Sequence, residues 1–367
     1  MRRLKKSLKG RISRLIHNIK IGRHNLHADK LVRYLVTGDW STRHDGECLM
    51  ASLRDDLGEI TTSHYGIHQG ILHFGGITAA LYRRKIRWPS QRAICGLTWF
   101  HVLDNDQRLS LVPKLNKRLA FWHTSCQSTA DILIRHGADP EKMHVIPLGV
   151  DPTIFKPLSA QAKRSARQAL DIPDDVIVVG SFQRDGYLWN DRPKLEKGPD
   201  VFCDVVEKLA AKHKILVLLS GPARGYVMHR LDAAGIAYRY SGYLDHANDV
   251  APYFQVLDLY LIASRIEGGP KAILEAPACG IPLVTTRVGM APDIIQHGKN
   301  GLLADVEDVE TLYQLCCRVI EEPVLAETLA RNGRRLAEQH AWRKIAERYY
   351  NELYLPLLQP VPAIACS

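Results

Sequence analysis

The sequence predicts an α/β protein made of two Rossmann-like, doubly wound domains facing each other across a cleft, preceded by a basic amphipathic helix. Three observations lead there. The 367 residues are more than one hydrophobic core comfortably organises. From about residue 30, short β-rich runs alternate with helical stretches, the pattern of parallel sheets with helical crossovers. The alternation breaks once, at "PLGVDPTIFKPLSA", and then resumes. The chain therefore divides into a basic segment over 1–28, a first domain over 29–150 completed by a C-terminal helix over 341–367, and a second domain over 151–340.

The net charge of +10 is concentrated at the start. Residues 1–28 carry nine Lys or Arg and no acid, and subtracting those nine leaves +1 for everything else. A basicity so localised argues against a nucleic-acid groove spread over the fold. Within "MRRLKKSLKGRISRLIHNIKIGRH", Leu4, Leu8, Ile12, Leu15, Ile16 and Ile19 recur at steps of three and four, which sets an apolar stripe beside a cationic face. Such a helix suits an anionic membrane surface, where each basic residue is worth about 1 kcal/mol. The alternatives are a solvated tail or a helix packed on its own domain. No apolar run of bilayer length occurs, and the segment lacks the apolar stretch of a secretory signal. The eight cysteines have neither C-x-x-C nor zinc-like spacing, which reads as reduced thiols in a cytoplasmic protein, peripheral on the membrane.

In the first domain the strands are read at "VRYLVT", "ILHFGG", "AICGLTWF", "FWHTS" and "MHVIPL", with a helix over "TADILIRHGADPEKM". In the second they are read at "DDVIVVGSF", "KILVLLSG", "IAYRYSG", "LYLIAS" and "IPLVTT", with helices between them and long helical runs from about Val309. Ligands of doubly wound sheets bind beyond the carboxyl ends of the strands, so the cleft is the expected site.

The stretch "SRIEGGPKAILEAPACG" carries the chemistry. Gly268 and Gly269 let the backbone turn closely around a ligand, and Pro270 suits the first turn of a helix expected to run to about Cys279. The helix N-terminus would seat a diphosphate, with Lys271 beside it. Glu267 and Glu275, eight positions apart, would each reach one end of a molecule that carries vicinal hydroxyls at both ends. A nucleotide sugar has that form. Pro277, two residues after Glu275, has no explanation at this level.

With these residues in view, "EGGPKAILE" resembles the Glu-x7-Glu motif of the retaining, GT-B fold, nucleotide-sugar-dependent glycosyltransferases of family four, the glycosyl transferases group 1. "VGSFQRDG…PKLEKGPDVF", "VIPLGVDPTIFKP" and "GMAPDIIQHGKNGLLAD" resemble further family segments, and the likeness covers most of residues 95–345. The resemblance implies that the first domain binds an acceptor and the second the donor. It implies that Glu267 lies by the donor sugar, that Glu275 holds the ribose, and that Arg184 and Lys197 stabilise the charge growing on the leaving diphosphate. That pair would replace a metal ion, so neither metal nor cofactor is expected beyond the nucleotide-sugar co-substrate. His101, in "TWFHVLDND", resembles the family's histidine at the donor sugar; a lone histidine is otherwise more often structural.

The implied function is transfer of a sugar from a UDP- or GDP-sugar donor to a glycan or lipid-linked acceptor, in cell-surface polysaccharide or glycolipid synthesis. An epimerase or phosphorylase on the same fold, or a non-catalytic nucleotide-sugar-binding membrane scaffold, are the alternatives. A Rossmann dehydrogenase is disfavoured, since no G-x-G-x-x-G follows a strand. The segment from Trp40 to Gly46 reads either as a polar turn feeding a helix or as a ligand contact.

Overall fold

A computed structural model describes residues 18–358, except 27–29, 39–40, 55–56, 83–84, 188–191 and 245–246. The chain forms two compact units, Met1–Ile146 with Trp342–Ser367, and Pro147–Ala341.

The first unit holds β1 (Val32–Leu35), β2 (Gly58–Thr61), β3 (Ile71–Phe74), a short antiparallel pair β4 (Leu81–Tyr82) and β5 (Lys85–Ile86), β6 (Ile94–Thr98), β7 (Leu119–Thr124) and β8 (Met143–Val145). Six of them make a parallel sheet in the order β2-β1-β3-β6-β7-β8. β2 was not expected: "GEIT" is short, polar and only partly covered, as an edge strand tolerates. Helix α1 (Ser41–Ser52) follows β1, so the part of the polar segment from Ser41 to Gly46 is helical, whereas Trp40 lies outside the described residues. Gly46 is required there, because a Cβ would lie 2.6 Å from the Tyr34 ring.

One end of this sheet is held by a buried polar network rather than by apolar packing alone. His73 bonds Tyr354 Oη at 2.8 Å and Thr98 Oγ1 at 2.7 Å, and Thr98 Oγ1 meets His123 Nδ1 at 2.8 Å. Tyr349 Oη and the Ile146 carbonyl complete the surroundings of His123. Tyr349 and Tyr354 come from the C-terminal helical run that begins at Trp342, which ties that run to this sheet. Burial drives both histidines toward the neutral form, His123 down to about 3 and His73 well below its usual value.

Of the amphipathic helix expected over 1–24, residues 1–17 lie outside the described residues, while 18–26 are helical. This turn of chain is docked: the Asn25 amide donates to the Ser63 and Tyr65 carbonyls at 3.0 and 2.8 Å. Its other side leaves Ile19 and Leu26 49% and 53% exposed, with Lys20 and Arg23 also at the surface.

The second unit holds β9 (Ile177–Phe182), β10 (Ile215–Ser220), β11 (Tyr238–Tyr240), β12 (Leu259–Ile262), β13 (Leu283–Thr286) and β14 (Leu302–Ala304), all parallel, in the order β11-β10-β9-β12-β13-β14. β10, β12, β13 and β14 are buried along their whole length because helices cover both faces. One face packs on α2 (Pro199–Ala210), through Val201, Val205 and Leu209. Each such side chain contributes roughly 1.5–3 kcal/mol on burial. The remaining helices that matter here are α3 (Ala272–Ala278), α4 (Val309–Glu321) and α5 (Pro323–Gln339). A helix over Ala160–Ala169, which begins where the connection ends, adds to this unit; Arg167 from it donates to the Val256 carbonyl and Asp258. No described helix is long and apolar enough to cross a membrane.

Candidate active site in the second unit

In the second sheet the chain builds outward from β9 through β10 to β11, then returns to the other side of β9 with β12. β9 and β12 are therefore neighbours at the point where the winding reverses, and a crevice opens there beyond the strand ends. They pair only at Val179–Leu259 and Gly180–Tyr260; past that point the Phe182 amide donates instead to Tyr260 Oη at 2.8 Å. The segments leaving these two strands carry most of the predicted residues.

Lys197 and Glu267 meet directly, Nζ to Oε1 at 2.5 Å, with side chains 21% and 9% exposed. Ser264 Oγ donates to the same oxygen at 3.1 Å, and its own carbonyl accepts from Thr286 Oγ1 at 2.6 Å. The two segments are stitched by backbone as well: the Arg265 and Ile266 amides donate to the Glu196 carbonyl at 2.9 and 3.1 Å. Arg265 then grips Asp200 with two bonds of 2.8 and 2.7 Å, which holds the Asp200 carboxyl below the usual range. Gly198 makes the approach possible. It sits at φ 60°, ψ 40°, and a Cβ there would lie 1.9 Å from the Ala263 carbonyl oxygen.

Lys194 is the residue that sequence reasoning missed. Its ammonium is pushed below the ordinary lysine value by burial and then by Lys197 and Arg184, while Glu196 and Glu267 act the other way. Arg184, Lys194 and Lys197 thus share one field, and Glu196 is already engaged by Tyr187 Oη at 2.8 Å. Three cations acting with two carboxylates, Glu196 and Glu267, leave one positive charge in excess, which suits an anion. The available signal was the first lysine of "PKLEKG", three positions before Lys197.

Beneath Arg184 lies a fully buried ion pair. Arg224 Nε is 2.7 Å from Asp185 Oδ2, both side chains 0% exposed. Arg224 also donates to the Ser181, Gln183 and Ser220 carbonyls at 2.6, 3.0 and 2.8 Å, clasping the ends of β9 and β10. The Asp185 carbonyl accepts from the Lys194 amide at 2.7 Å, so the clasp reaches both Arg184 and Lys194. Burial raises the Asp185 carboxyl to about 6, outweighing the opposite pull of Arg224.

The helix expected from Pro270 to Cys279 is shorter, Ala272–Ala278, with Lys271 at its N-cap position rather than inside the first turn. Gly268 and Gly269 lie in the turn before it, and Gly289 presses on that turn so closely that a Cβ would sit 2.3 Å from the Gly268 oxygen. Glu275 is the one residue of α3 that is not buried. Its charge and that of Glu267 both add to burial in raising the Tyr260 phenol, against the pull of the Phe182 amide hydrogen bond. Pro277 now has a reason. α3 ends two residues later in a Schellman turn, with Gly280 N–H to the Pro277 carbonyl at 2.9 Å and Ile281 N–H to the Ala276 carbonyl at 3.1 Å. The proline ring meets the bare backbone of Gly333 in α5, where a Cβ would stand 2.9 Å from Pro277 Cβ.

His101 belongs to the first unit, exposed in the loop after β6, and its carbonyl accepts from Trp99 Nε1 at 3.1 Å. The loop continues into Asp104-Asn105-Asp106, two carboxylates at Asp-x-Asp spacing. Its carboxylates are ion-paired, Asp106 with Arg108 at 2.5 Å and Asp104 with Arg135 at 3.0 Å.

The chain is similar to proteins of known family and fold. Residues 186–322 match the family described as glycosyl transferases group 1. The chain is 26% identical over 318 residues to MMP alpha-(1->4)-mannosyltransferase of Mycolicibacterium hassiacum, covering 84% of this chain and 69% of that one. It is 30% identical over 252 residues to D-inositol 3-phosphate glycosyltransferase of Jonesia denitrificans, covering 65% of this chain and 54% of that one. The chain thus spans between about half and two thirds of these relatives' length. Its fold is similar to that of Anabaena HepE, solved with UDP and glucose, at a TM-score of 0.72 and 17% identity over 88% of this chain and 99% of that one. A glycosyltransferase from Rickettsia africae gives 0.71 and 16%, over 91% and 100%.

Proposed function

We propose that this chain, which belongs to the glycosyl transferases group 1 family and has the GT-B fold, transfers a sugar with retention from a nucleotide-sugar donor to a glycan or lipid-linked acceptor. The observation that carries the reading is the Lys197–Glu267 contact at the switch point, with Arg184 and Lys194 in the same field. A nucleoside diphosphate seated there meets three cations, which stabilise the negative charge that grows as the sugar leaves. In this reading those side chains do the work that a metal ion does elsewhere. Glu267 accepts hydrogen bonds from the sugar hydroxyls, and Glu275 accepts them from the ribose. The acceptor hydroxyl attacks on the face the diphosphate leaves, and the departing phosphate takes its proton.

The named activities of the relatives, a mannosyltransferase and an inositol phosphate glycosyltransferase, support a hexose as the transferred group. HepE was solved with UDP and glucose, which makes a UDP-sugar the first donor to try. Cell-surface polysaccharide or glycolipid synthesis at the cytoplasmic membrane face fits the basic N-terminal segment. The exposed Ile19 and Leu26 beside Lys20 and Arg23 extend that apolar and cationic surface into the described residues.

The test is to offer UDP-, GDP- and ADP-sugars to the purified protein and measure nucleoside diphosphate release. Turnover of one donor, abolished in Glu267→Ala and strongly reduced in Glu275→Ala, is the expected result. Ordinary turnover in both variants would remove these residues from the site. Tight donor binding without turnover on any acceptor would make the chain a nucleotide-sugar-binding scaffold.

A further inference from the structure

At the opposite end of the strands of the second sheet, just before β10 begins, three metal-ligand side chains converge that the transfer chemistry does not use. His213 follows α2, and Cys317 and Glu321 stand one turn apart on α4. One ligand atom from each lies within 4.8 Å of the other two. His213 Nε2 and Glu321 Oε1 are already 3.0 Å apart.

We propose that His213, Cys317 and Glu321 form a zinc site that staples the end of α2 to the end of α4. The donor set argues for this metal: one thiolate, one imidazole and one carboxylate suit Zn²⁺ better than a hard cation. Ligand atoms around tetrahedral zinc sit about 3.3–3.7 Å apart, given bonds of about 2.0–2.3 Å. The cluster therefore has to contract by about 1 Å at its widest. Glu321, 43% exposed, has the freedom to make that movement, while His213 is 16% exposed and Cys317 8% exposed and both are held by packing. The fourth position faces solvent and takes water.

The arrangement names its own competitor. Lys212 Nζ lies 2.5 Å from the same Glu321 oxygen, so the metal displaces an ammonium as well as the Cys317 proton. Simple lacing of the helices does not need Cys317. Lys208 and Glu310 pair at 3.1 Å one stretch away without any thiol, and exposed pairs of that kind contribute little. Nor is Cys317 an ordinary core thiol like Cys316 beside it, which is fully buried, since its sulfur faces ligand atoms of His213 and Glu321.

The experiment titrates ZnCl₂, and separately CoCl₂, into the full chain under reducing conditions. One zinc per chain is expected, together with a near-ultraviolet thiolate-to-cobalt band. The band disappears in Cys317→Ser and persists in Cys48→Ser, and zinc affinity falls at least tenfold in His213→Gln. Lys212→Gln is the discriminating variant: removing a cation about 6 Å from the metal tightens zinc by about tenfold, whereas a purely structural cluster gives no gain. A thiolate band retained in Cys317→Ser, no stoichiometric zinc in the wild type, or unchanged affinity in both His213→Gln and Lys212→Gln overturns the proposal. Lys212→Gln lies at the surface and decides the matter even if Cys317→Ser folds poorly. None of these readouts depends on glycosyl transfer.

Discussion

Replacing Arg224 by methionine tests how the cationic field is held in place. Both members of the Arg224–Asp185 pair are 0% exposed, so no solvent screening discounts the loss. The substitution strands a buried carboxylate and three carbonyls that Arg224 now satisfies. Breaking a buried pair in this way costs about 3–5 kcal/mol. For a unit of this size that lowers Tm by roughly 6–20 °C. The loss has a pH signature. The folded Asp185 carboxyl, at about 6, titrates above its unfolded value of 3.8. The folded state therefore holds the proton more tightly, and the stability this contributes is lost as pH rises from about 4 to about 6. Without Arg224 the carboxyl rises further, and the loss continues beyond pH 6. The cost of Arg224→Met must accordingly be larger at pH 8 than at pH 5 in urea denaturation. Pairing it with Asp185→Leu must cost less than the two single changes combined, since no lone charge remains buried. An equal cost at both pH values, or one below about 1 kcal/mol, would refute the reasoning.

Other consequences concern single residues. Gly198→Ala forces a Cβ into the Ala263 carbonyl at a left-handed backbone position, so it should destabilise by at least about 2 kcal/mol; an unchanged melting curve would contradict the contact. The first unit behaves opposite to Asp185 in acid. His73 and His123 have folded values below the usual 6.5, so the stability they contribute is complete above that pH and is lost as pH falls toward about 3. At pH 5 His123 alone costs about 2 kcal/mol relative to pH 7, with His73 acting in the same direction, and a flat denaturation profile over that range would exclude the network as drawn. Lys194→Gln should weaken UDP binding by about tenfold in calorimetry, and wild-type affinity would remove Lys194 from the anion field.

Much of the candidate site was readable from residue types and spacing. The apolar run "LYLIAS", the Gly-Gly-Pro turn and the glutamates around it mark a strand end, a close approach and a helix start, all features of local backbone chemistry. The alternation of strands and helices likewise fixes the fold class, because periodicity reports which faces are buried. β2 escaped because an edge strand is half-solvated and needs no apolar pattern, and the Ala160–Ala169 helix because it is largely solvent-facing, with only Arg167 buried.

What tertiary structure decided are the relations between distant segments. That β9 lies beside β12, and so that Lys197 meets Glu267 seventy positions away, follows from strand order, which no local pattern encodes. Lys194 joins the cations because Arg224 and Asp185 clasp the strand ends beneath it, and that ion pair looks like two ordinary charged residues until both are seen buried. Pro277 is the plainest case. In the sequence it is a helix breaker without a purpose; in the fold it closes a seven-residue helix against Gly333, a neighbour contributed by another helix more than fifty residues on. Sequence determines what each segment prefers to be, and packing determines which preferences meet, since burial and charge pairing act through space rather than along the chain.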